Sequence, residues 1–123
     1  MQGIIETTVA RPAAVKTAVR RFFTRSRLPT AIIAPDLELM IGLYATLGEL
    51  GLVIPRKVSV LSTGSWPIQD YLTPLPTCYK LPWDKAATHA IRVISDYLRL
   101  GVWPNTFYNL LPTLRAGDSV ATL

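Results

Sequence analysis

The sequence is short of the residues on which most catalytic and metal sites depend. Its single cysteine, Cys78, excludes an internal disulfide and a cysteine-rich zinc site. Its single histidine, His89, counts against a multi-histidine metal site and an ordinary Ser-His-Asp triad. No paired carboxylates stand at a spacing suited to acid–base catalysis. We therefore expect a protein that is not an enzyme and that uses no cofactor and no metal.

Long apolar runs and targeting patterns are also missing. The longest apolar stretch, residues 37–52, is interrupted by Glu38, Gly42, Gly48 and Glu49, and no run approaches the ~18 residues of a membrane span. The N-terminus lacks the basic-then-apolar pattern of a secretory signal. These absences predict a cytoplasmic protein with no membrane partner.

What is present is a chain of ordinary globular composition with a basic first quarter. It has 123 residues, half of them apolar and 17% charged, which favours one ordered domain. The net charge of +5 arises before residue 30. This segment has one acidic residue, Glu6, and six basic residues: Arg11, Lys16, Arg20, Arg21, Arg25 and Arg27. This segment is either a helix that meets nucleic acid or an acidic partner, or the solvated face of a surface helix. The second interpretation is favoured because no aromatic residue interleaves with the arginines.

Apolar patterns along the chain predict strands that alternate with helices. We expect strands at residues 4–9, 30–34, 58–61, 77–81 and 107–111, and helices at 12–28, 37–50 and 83–100. Strands joined by helices of this length imply crossover connections. The predicted fold is a single α/β lobe over residues 1–123, a three-layer α/β/α sandwich with a mostly parallel sheet.

Capping signals mark the ends of the second and third helices. Asp36 and Asp84 are candidate N-caps, while Gly51 and Gly101 are placed to end the helices. The last helix carries an apolar stripe that we expect to be buried: Ala87, Ala90, Ile91, Ile94, Tyr97 and Leu98.

Two loops qualify as a binding site, because open parallel sheets bind ligands beyond the carboxyl ends of their strands. Asp36 follows the strand TAIIA, and it either accepts hydrogen bonds from a ligand hydroxyl, caps its helix, or does both. Ser62, Thr63, Gly64, Ser65 and Trp66 follow the strand VSVL. This loop is either a polar-ligand site with Trp66 as an apolar platform or a plain connection. No phosphate-binding glycine motif is present. We interpret His89, Cys78, Trp103 and Tyr108 as packing residues.

An ordered series of segments carries a resemblance to a known family. The segments are 29–34 (PTAIIA), 48–52 (GELGL), 54–60 (IPRKVSV), 71–77 (YLTPLPT) with Pro82, 110–112 (LLP) and 115–120 (RAGDSV). In this order and spacing they resemble the C-terminal lobe of the effector-binding domain of lactose-repressor (LacI-type) transcription regulators. The resemblance implies one lobe of a periplasmic-binding-protein-like fold and an effector-sensing and dimerising role.

The resemblance also assigns an effector site, residue by residue. The family's effector-holding asparagine falls on Asp36, and the aspartate that follows it falls on Leu37. The family's Gly-x-Asp-Asp loop falls on Ser62–Ser65, so its effector-binding aspartate is replaced by Gly64. Asp36 keeps the capacity to accept hydrogen bonds, whereas the second acceptor is lost.

The family's DNA-reading headpiece and N-terminal lobe have no counterpart in these residues. We therefore expect a fragment of a longer regulator, with a homodimeric partner, a small-molecule effector such as a sugar, and DNA bound through the absent headpiece. The pairing surface is expected on the helices that begin near Ala13 and Leu37. Two alternatives stay open: a sugar-binding lobe of a periplasmic-type transport protein, and a stand-alone interaction module with a basic helix.

Overall fold

The computed structural model describes residues 12–25, 29–105 and 107–121, and it places three helices and four strands in them. In chain order they are α1 (Pro12–Arg25), β1 (Ala31–Ala34), α2 (Leu37–Glu49), β2 (Ser59–Ser62), β3 (Thr77–Lys80), α3 (Trp83–Leu100) and β4 (Thr113–Arg115). A short 3₁₀ helix, Pro67–Tyr71, lies between β2 and β3. The strand predicted at residues 4–9 lies outside the described residues.

The four strands form one sheet in the order β1-β2-β3-β4. β1 and β3 both run parallel to β2, with Ala34 opposite Ser62 and Ser62 opposite Cys78. β4 runs antiparallel to β3, with Thr113 opposite Lys80. The predicted α/β class with a mostly parallel sheet is confirmed.

The closing strand is not where the sequence pattern predicted it. Residues 107–111 are apolar but form no strand, and the ladder begins after Pro112, at Thr113. Phe107 and Leu111 are exposed, and Tyr108 stacks on α3 instead of pairing with β3. Apolar character alone does not distinguish a strand from an irregular segment that packs on a helix.

The hydrophobic core lies between α1, α2 and the first two strands. α1 presents a stripe at helical spacing, and α2 is apolar around most of its circumference, so α2 can contact both α1 and the sheet. The buried cluster consists of Val15, Val19, Ala34, Met40, Leu43, Tyr44, Leu47, Val58 and Val60. The apolar side chains of α1 and α2 therefore pack against each other. Among the described residues of these two helices, Ile41 is the one large apolar residue that is exposed. The pairing of two chains through part of the surface of these helices stays a prediction.

The predicted caps of α2 are confirmed. Asp36 lies in extended conformation and its Oδ1 accepts a hydrogen bond of 2.8 Å from the backbone N–H of Leu39. At the other end Gly51 adopts φ 69°, which suits glycine because it has no Cβ. The N–H of Leu52 then reaches the carbonyl of Leu47 at 2.9 Å, so an otherwise free helix carbonyl is bonded.

α3 departs from the prediction. Gly101 ends it at φ 72° as expected, but Pro82 is its N-cap residue and Asp84 lies inside the first turn. None of the residues of α3, all of which are described, is buried. The predicted stripe is largely exposed, with Ile91 at 65% and Leu98 at 77%. The spacing correctly predicted an amphipathic helix. The sequence could not show that the hydrophobic core is formed by α1, α2 and the first two strands without α3.

The contact between α1 and α2 gives a test with a matched control. A methyl group on Gly42 would lie 2.7 Å from Cγ1 of Val15, whereas one on Gly48 would meet nothing within 4 Å. We expect Gly42→Ala to lower the free energy of unfolding by about 1–3 kcal/mol because overpacking outweighs the better helix propensity of alanine. Gly48→Ala should raise it by up to about 1 kcal/mol. Urea unfolding of both variants measures the two signs, and an equal gain in both would show that the helices do not pack at Gly42.

Candidate functional site

The two loops predicted to bind a ligand lie side by side. Because β1 and β2 are parallel neighbours, their carboxyl ends reach the same end of the sheet. The N–H of Thr63 donates to the carbonyl of Ala34 at 3.1 Å, and its Oγ1 donates to the carbonyl of Pro35 at 3.0 Å. These bonds hold the start of the second loop against the residue that precedes Asp36.

Asp36 is half-buried at the start of α2. One carboxylate oxygen, Oδ1, is engaged by the N–H of Leu39. A carboxylate has a second oxygen with its own lone pairs, so capping and acceptance from a ligand are compatible at this position.

Ser62 and Gly64 face into the loop. Ser62 is fully buried, and its Oγ donates to the carbonyl of Gly64 at 2.9 Å. Gly64 is covered by the indole of Trp66, and a Cβ at this position would overlap the ring. Both residues therefore shape the loop, while Thr63 is exposed and Ser65 and Trp66 are half-buried at its surface.

Gln69 is a residue of this region that the sequence analysis missed. It is fully buried in the 3₁₀ helix, and its Nε2 donates to Ser62 Oγ at 3.1 Å and to the carbonyl of Gly64 at 3.3 Å. Its Oε1 accepts from the N–H of Trp66 at 3.4 Å. The side-chain amide of Gln69 is thus hydrogen-bonded to three residues of the loop, Ser62, Gly64 and Trp66. The sequence offered a weak signal only, a glutamine two residues after Pro67 in a loop of small polar residues.

A second polar cluster ties the carboxyl-terminal segment to the sheet. The Oγ of buried Ser119 donates to the carbonyl of Val60 and accepts from the N–H of Thr77 at 2.8 Å. The phenol of Tyr44 donates to the carbonyl of Pro74 at 3.1 Å. Burial raises the pKa of Tyr44 above 10.0, and a hydrogen bond with Ser119 offsets part of that rise. These contacts fix β2 and β3 beneath the loops.

The basic face of α1 is partly neutralised within the chain. Lys16 and Arg20 contact the two carboxylate oxygens of Glu49 at 2.7 and 2.6 Å, and all three side chains remain well exposed. Hydrogen bonds from Lys16 and then Arg20 lower the pKa of Glu49 below 4.5. Arg11 and Arg27 lie outside the described residues. The paired cations support the interpretation of α1 as a solvated helix face.

The remaining chemistry-bearing residues pack as expected. Cys78 is buried in β3. His89 stacks on Tyr108 with ring centroids 3.8 Å apart, and Trp103 stacks on Tyr97 at 4.3 Å. Within the described ranges, the acidic, histidine and cysteine side chains form no group of three that could hold a metal ion. None of the described helices is both long and apolar enough to cross a membrane.

The fold is an open α/β lobe with polar loops at the carboxyl ends of its parallel strands. A family model for a periplasmic binding protein-like domain matches residues 3–120. Because that match covers nearly the whole chain, the protein belongs to the family of periplasmic binding protein-like domains.

Individual relatives agree with the resemblance drawn from the sequence motifs. The lactose operon repressor of Rhizobium radiobacter is 29% identical over 70 residues, which is 57% of this chain and 62% of the repressor. The Escherichia coli transcriptional repressor ascG superposes with a TM-score of 0.75 at 24% identity, over 90% of this chain and 40% of that chain. A sugar-binding LacI-family regulator from Escherichia coli, solved with phosphate, superposes with a TM-score of 0.75 at 23% identity. The superposition covers 89% of this chain and 39% of the regulator.

These comparisons confirm the predicted resemblance to the LacI-type regulators and the periplasmic-binding-protein-like lobe. The relatives named above are repressors or regulators of transcription. The chain spans less than two thirds of each of them, down to about 40% of the solved chains.

The role of Gln69 gives a second prediction. Gln69→Leu removes the amide but keeps the approximate volume, so Ser62 Oγ and the Gly64 carbonyl lose a donor in a buried setting. We expect a loss of about 1–3 kcal/mol in the free energy of unfolding and a shifted Trp66 indole resonance. Ile68→Ala, in the same 3₁₀ helix but half-exposed, should change stability by no more than about 0.5 kcal/mol. A Gln69→Leu variant with wild-type stability and an unmoved indole would contradict the assignment.

The ion pairs of Glu49 with Lys16 and Arg20 give a third prediction, which concerns the pH dependence of stability. Since the folded-state pKa is lowered, the ion pairs stabilise the fold above pH 4.5 and that contribution is lost as the pH falls through the folded-state value. The unfolding midpoint of Glu49→Gln should therefore lie below that of the wild type near neutral pH and converge on it in acid. High salt should narrow the neutral-pH difference because the groups are exposed. A difference that is independent of pH and salt would refute the electrostatic origin.

Proposed function

We propose that this chain is the effector-sensing lobe of a LacI-type transcription regulator and that its effector is a small polyhydroxylated molecule such as a sugar. The observation that carries the proposal is the pair of hydrogen bonds from Thr63 to the carbonyls of Ala34 and Pro35, the two residues that precede Asp36. They bring an acceptor, hydroxyl groups and an aromatic ring to the carboxyl ends of neighbouring strands, which is where open α/β sheets bind ligands.

Each surface residue of this region has a distinct role in the proposal. The second carboxylate oxygen of Asp36 accepts hydrogen bonds from sugar hydroxyls. The hydroxyl of Thr63 donates its proton to the carbonyl of Pro35 and so accepts from the effector, while the hydroxyl of Ser65 donates or accepts. The Trp66 indole, held over Gly64, gives a flat apolar surface for the C–H face of a sugar ring. Ser62 and Gln69 position the loop and do not contact the effector.

The substitution of the family's loop aspartate by Gly64 shapes the proposed specificity. A charged acceptor is absent at that point, and the space is filled by the Trp66 ring. The site therefore offers one carboxylate and one aromatic surface, and it favours an effector with an apolar ring face over one that needs two flanking carboxylates.

The wider role follows from the relatives and is equally a proposal. The parent regulator is a homodimer that reads DNA through a separate headpiece, works in the cytoplasm and catalyses no reaction. Repression then changes when the effector alters the arrangement of this lobe within the dimer. Because a two-fold contact is self-complementary, light scattering of the parent protein should give twice the chain mass, and a monomer at high concentration would contradict the homodimer.

The effector site is tested by titration of the ¹⁵N-labelled chain with a panel of pentoses, hexoses and disaccharides. We expect a ligand that shifts the Trp66 indole and the amides of Asp36, Thr63 and Ser65. The indoles of Trp83 and Trp103, which are exposed on and after α3, are internal controls and should stay in place. A panel in which no sugar moves these signals, in this chain or in its longer parent, would overturn the sugar proposal.

Two substitutions at Asp36 separate binding from capping. Asp36→Asn keeps a good N-cap, so the free energy of unfolding should change by a few tenths of a kcal/mol, whereas Asp36→Ala should lose about 1 kcal/mol. Sugar affinity should fall about tenfold in both variants, as expected for the loss of a charged hydrogen bond. Affinity that falls only in Asp36→Ala would assign Asp36 to capping alone.

A further inference from the structure

We propose that Asp70 and Arg115 are positioning residues for the candidate effector site. Their ion pair, together with Gln69, holds the 3₁₀ helix so that the loop carrying Trp66 keeps the arrangement that receives the ligand. Neither side chain of the pair contacts the effector. The inference rests on the proposed function for what the loop binds, whereas the position of the Trp66 indole can be measured without a ligand.

One row of residues crosses three strands of the sheet at the end of β2. Ser62 in β2 is opposite Cys78 in β3, and Cys78 is opposite Arg115 in β4. Direct cross-strand partners share one face of a sheet, so the three side chains lie on the same face. Because neighbouring strands are about 4.8 Å apart, Ser62 and Arg115 are roughly 10 Å apart across this face.

The 3₁₀ helix is fastened to both ends of this row through two adjacent residues. The Nε2 of Gln69 donates to Ser62 Oγ at 3.1 Å. The next residue, Asp70, accepts through Oδ1 a hydrogen bond of 2.8 Å from Nη1 of Arg115. A single anchor leaves a short helix free to turn about it, whereas two anchors on separate strands fix its orientation as well as its position.

The loop takes its position from the same helix. The N–H of Gln69 donates to the carbonyl of Trp66 at 3.0 Å, and its side-chain Oε1 accepts from the N–H of Trp66 at 3.4 Å. Both backbone groups of Trp66 are therefore bonded to the residue that precedes Asp70. The indole in turn covers Gly64. A turn of the 3₁₀ helix thus moves the ring that the proposed function places against the effector.

The guanidinium of Arg115 indicates that the pair does more than stabilise the fold. Its Nε and Nη2 are buried and bond to no acceptor among the residues that the structure describes. Buried donors without a partner cost free energy, and Asp70 is too exposed, at 57%, for the ion pair to offset much of that cost. An apolar side chain at position 115 avoids the cost. Holding Asp70 in place is what an arginine there supplies and an apolar residue does not.

Two substitutions separate positioning from stability. Asp70→Asn keeps the size of the side chain but leaves the guanidinium without its anion, so the unfolding midpoint should fall by about 2–5 °C. Arg115→Met removes the charge together with the unpartnered donors, so its midpoint should stay within about 2 °C of the wild type. Both variants should nevertheless shift the Trp66 indole resonance of the ligand-free chain, because both remove the second anchor. An indole that stays in place in both variants would overturn the proposal.

Asp96→Asn is the matched control. Asp96 forms an ion pair of 3.1 Å with Arg99 in α3, outside the row and the 3₁₀ helix. The substitution changes the net charge by the same amount as Asp70→Asn and also removes one ion pair. It should leave the Trp66 indole in place. A shift as large as that of Asp70→Asn would show that the resonance reports charge and not the anchor, which would contradict the positioning role.

The affinity for a sugar that binds the wild type gives the second readout. Asp70→Asn and Arg115→Met should each weaken binding about fivefold, since a site loses affinity when its supporting contacts are loosened. Asp96→Asn should bind as the wild type does. Equal affinity in the wild type and both anchor variants would leave the effector site standing and show the positioning role to be wrong. If no sugar binds the wild type, the sugar effector is wrong, while a displaced indole in both anchor variants still supports the positioning of the loop.

Discussion

The parallel pairing of β1 with β2 is the constraint on which the rest of this lobe depends. It places Ala34 opposite Ser62, so both chains leave the sheet at the same end and Thr63 can bond to the carbonyls of Ala34 and Pro35. Parallel strands need a crossover connection, and α2 is that connection. Its N-cap, Asp36, therefore lies near the start of the 62–66 loop.

A second feature is the division of the apolar residues between two surfaces. α1, α2 and the sheet share one buried cluster. Within it, the side chain of Val15 in α1 packs closely against Gly42 in α2. α3 contributes nothing to that cluster and exposes a continuous apolar face. A helix of this character is stabilised mainly by tertiary packing and not by its intrinsic propensity. The apolar residues of the described chain are therefore divided between one buried cluster and one exposed helix face.

Local signals in the sequence predicted much of this fold because they act over a few residues. Asp36 and Gly51 marked the ends of α2 through capping chemistry, and the β-branched runs marked β1 and β2. Asp84 carried the same signal but did not cap α3, since Pro82 is the residue at that boundary. The role of Gln69 could not be predicted, because its partners, Ser62 and Gly64, are brought to it by the turn of the chain.

The sequence by itself determined the alternation of strands and helices, the polar character of the two loops and the family resemblance, all of which are encoded in local pattern and motif order. Only the tertiary structure decided which apolar faces are covered and which loop residues point outward. Ser62 and Thr63 are adjacent and chemically alike, yet one is buried and one is exposed. Ser62 is the last residue of β2 and lies in the packed interior, whereas Thr63 begins the loop, and only the packed structure shows this difference.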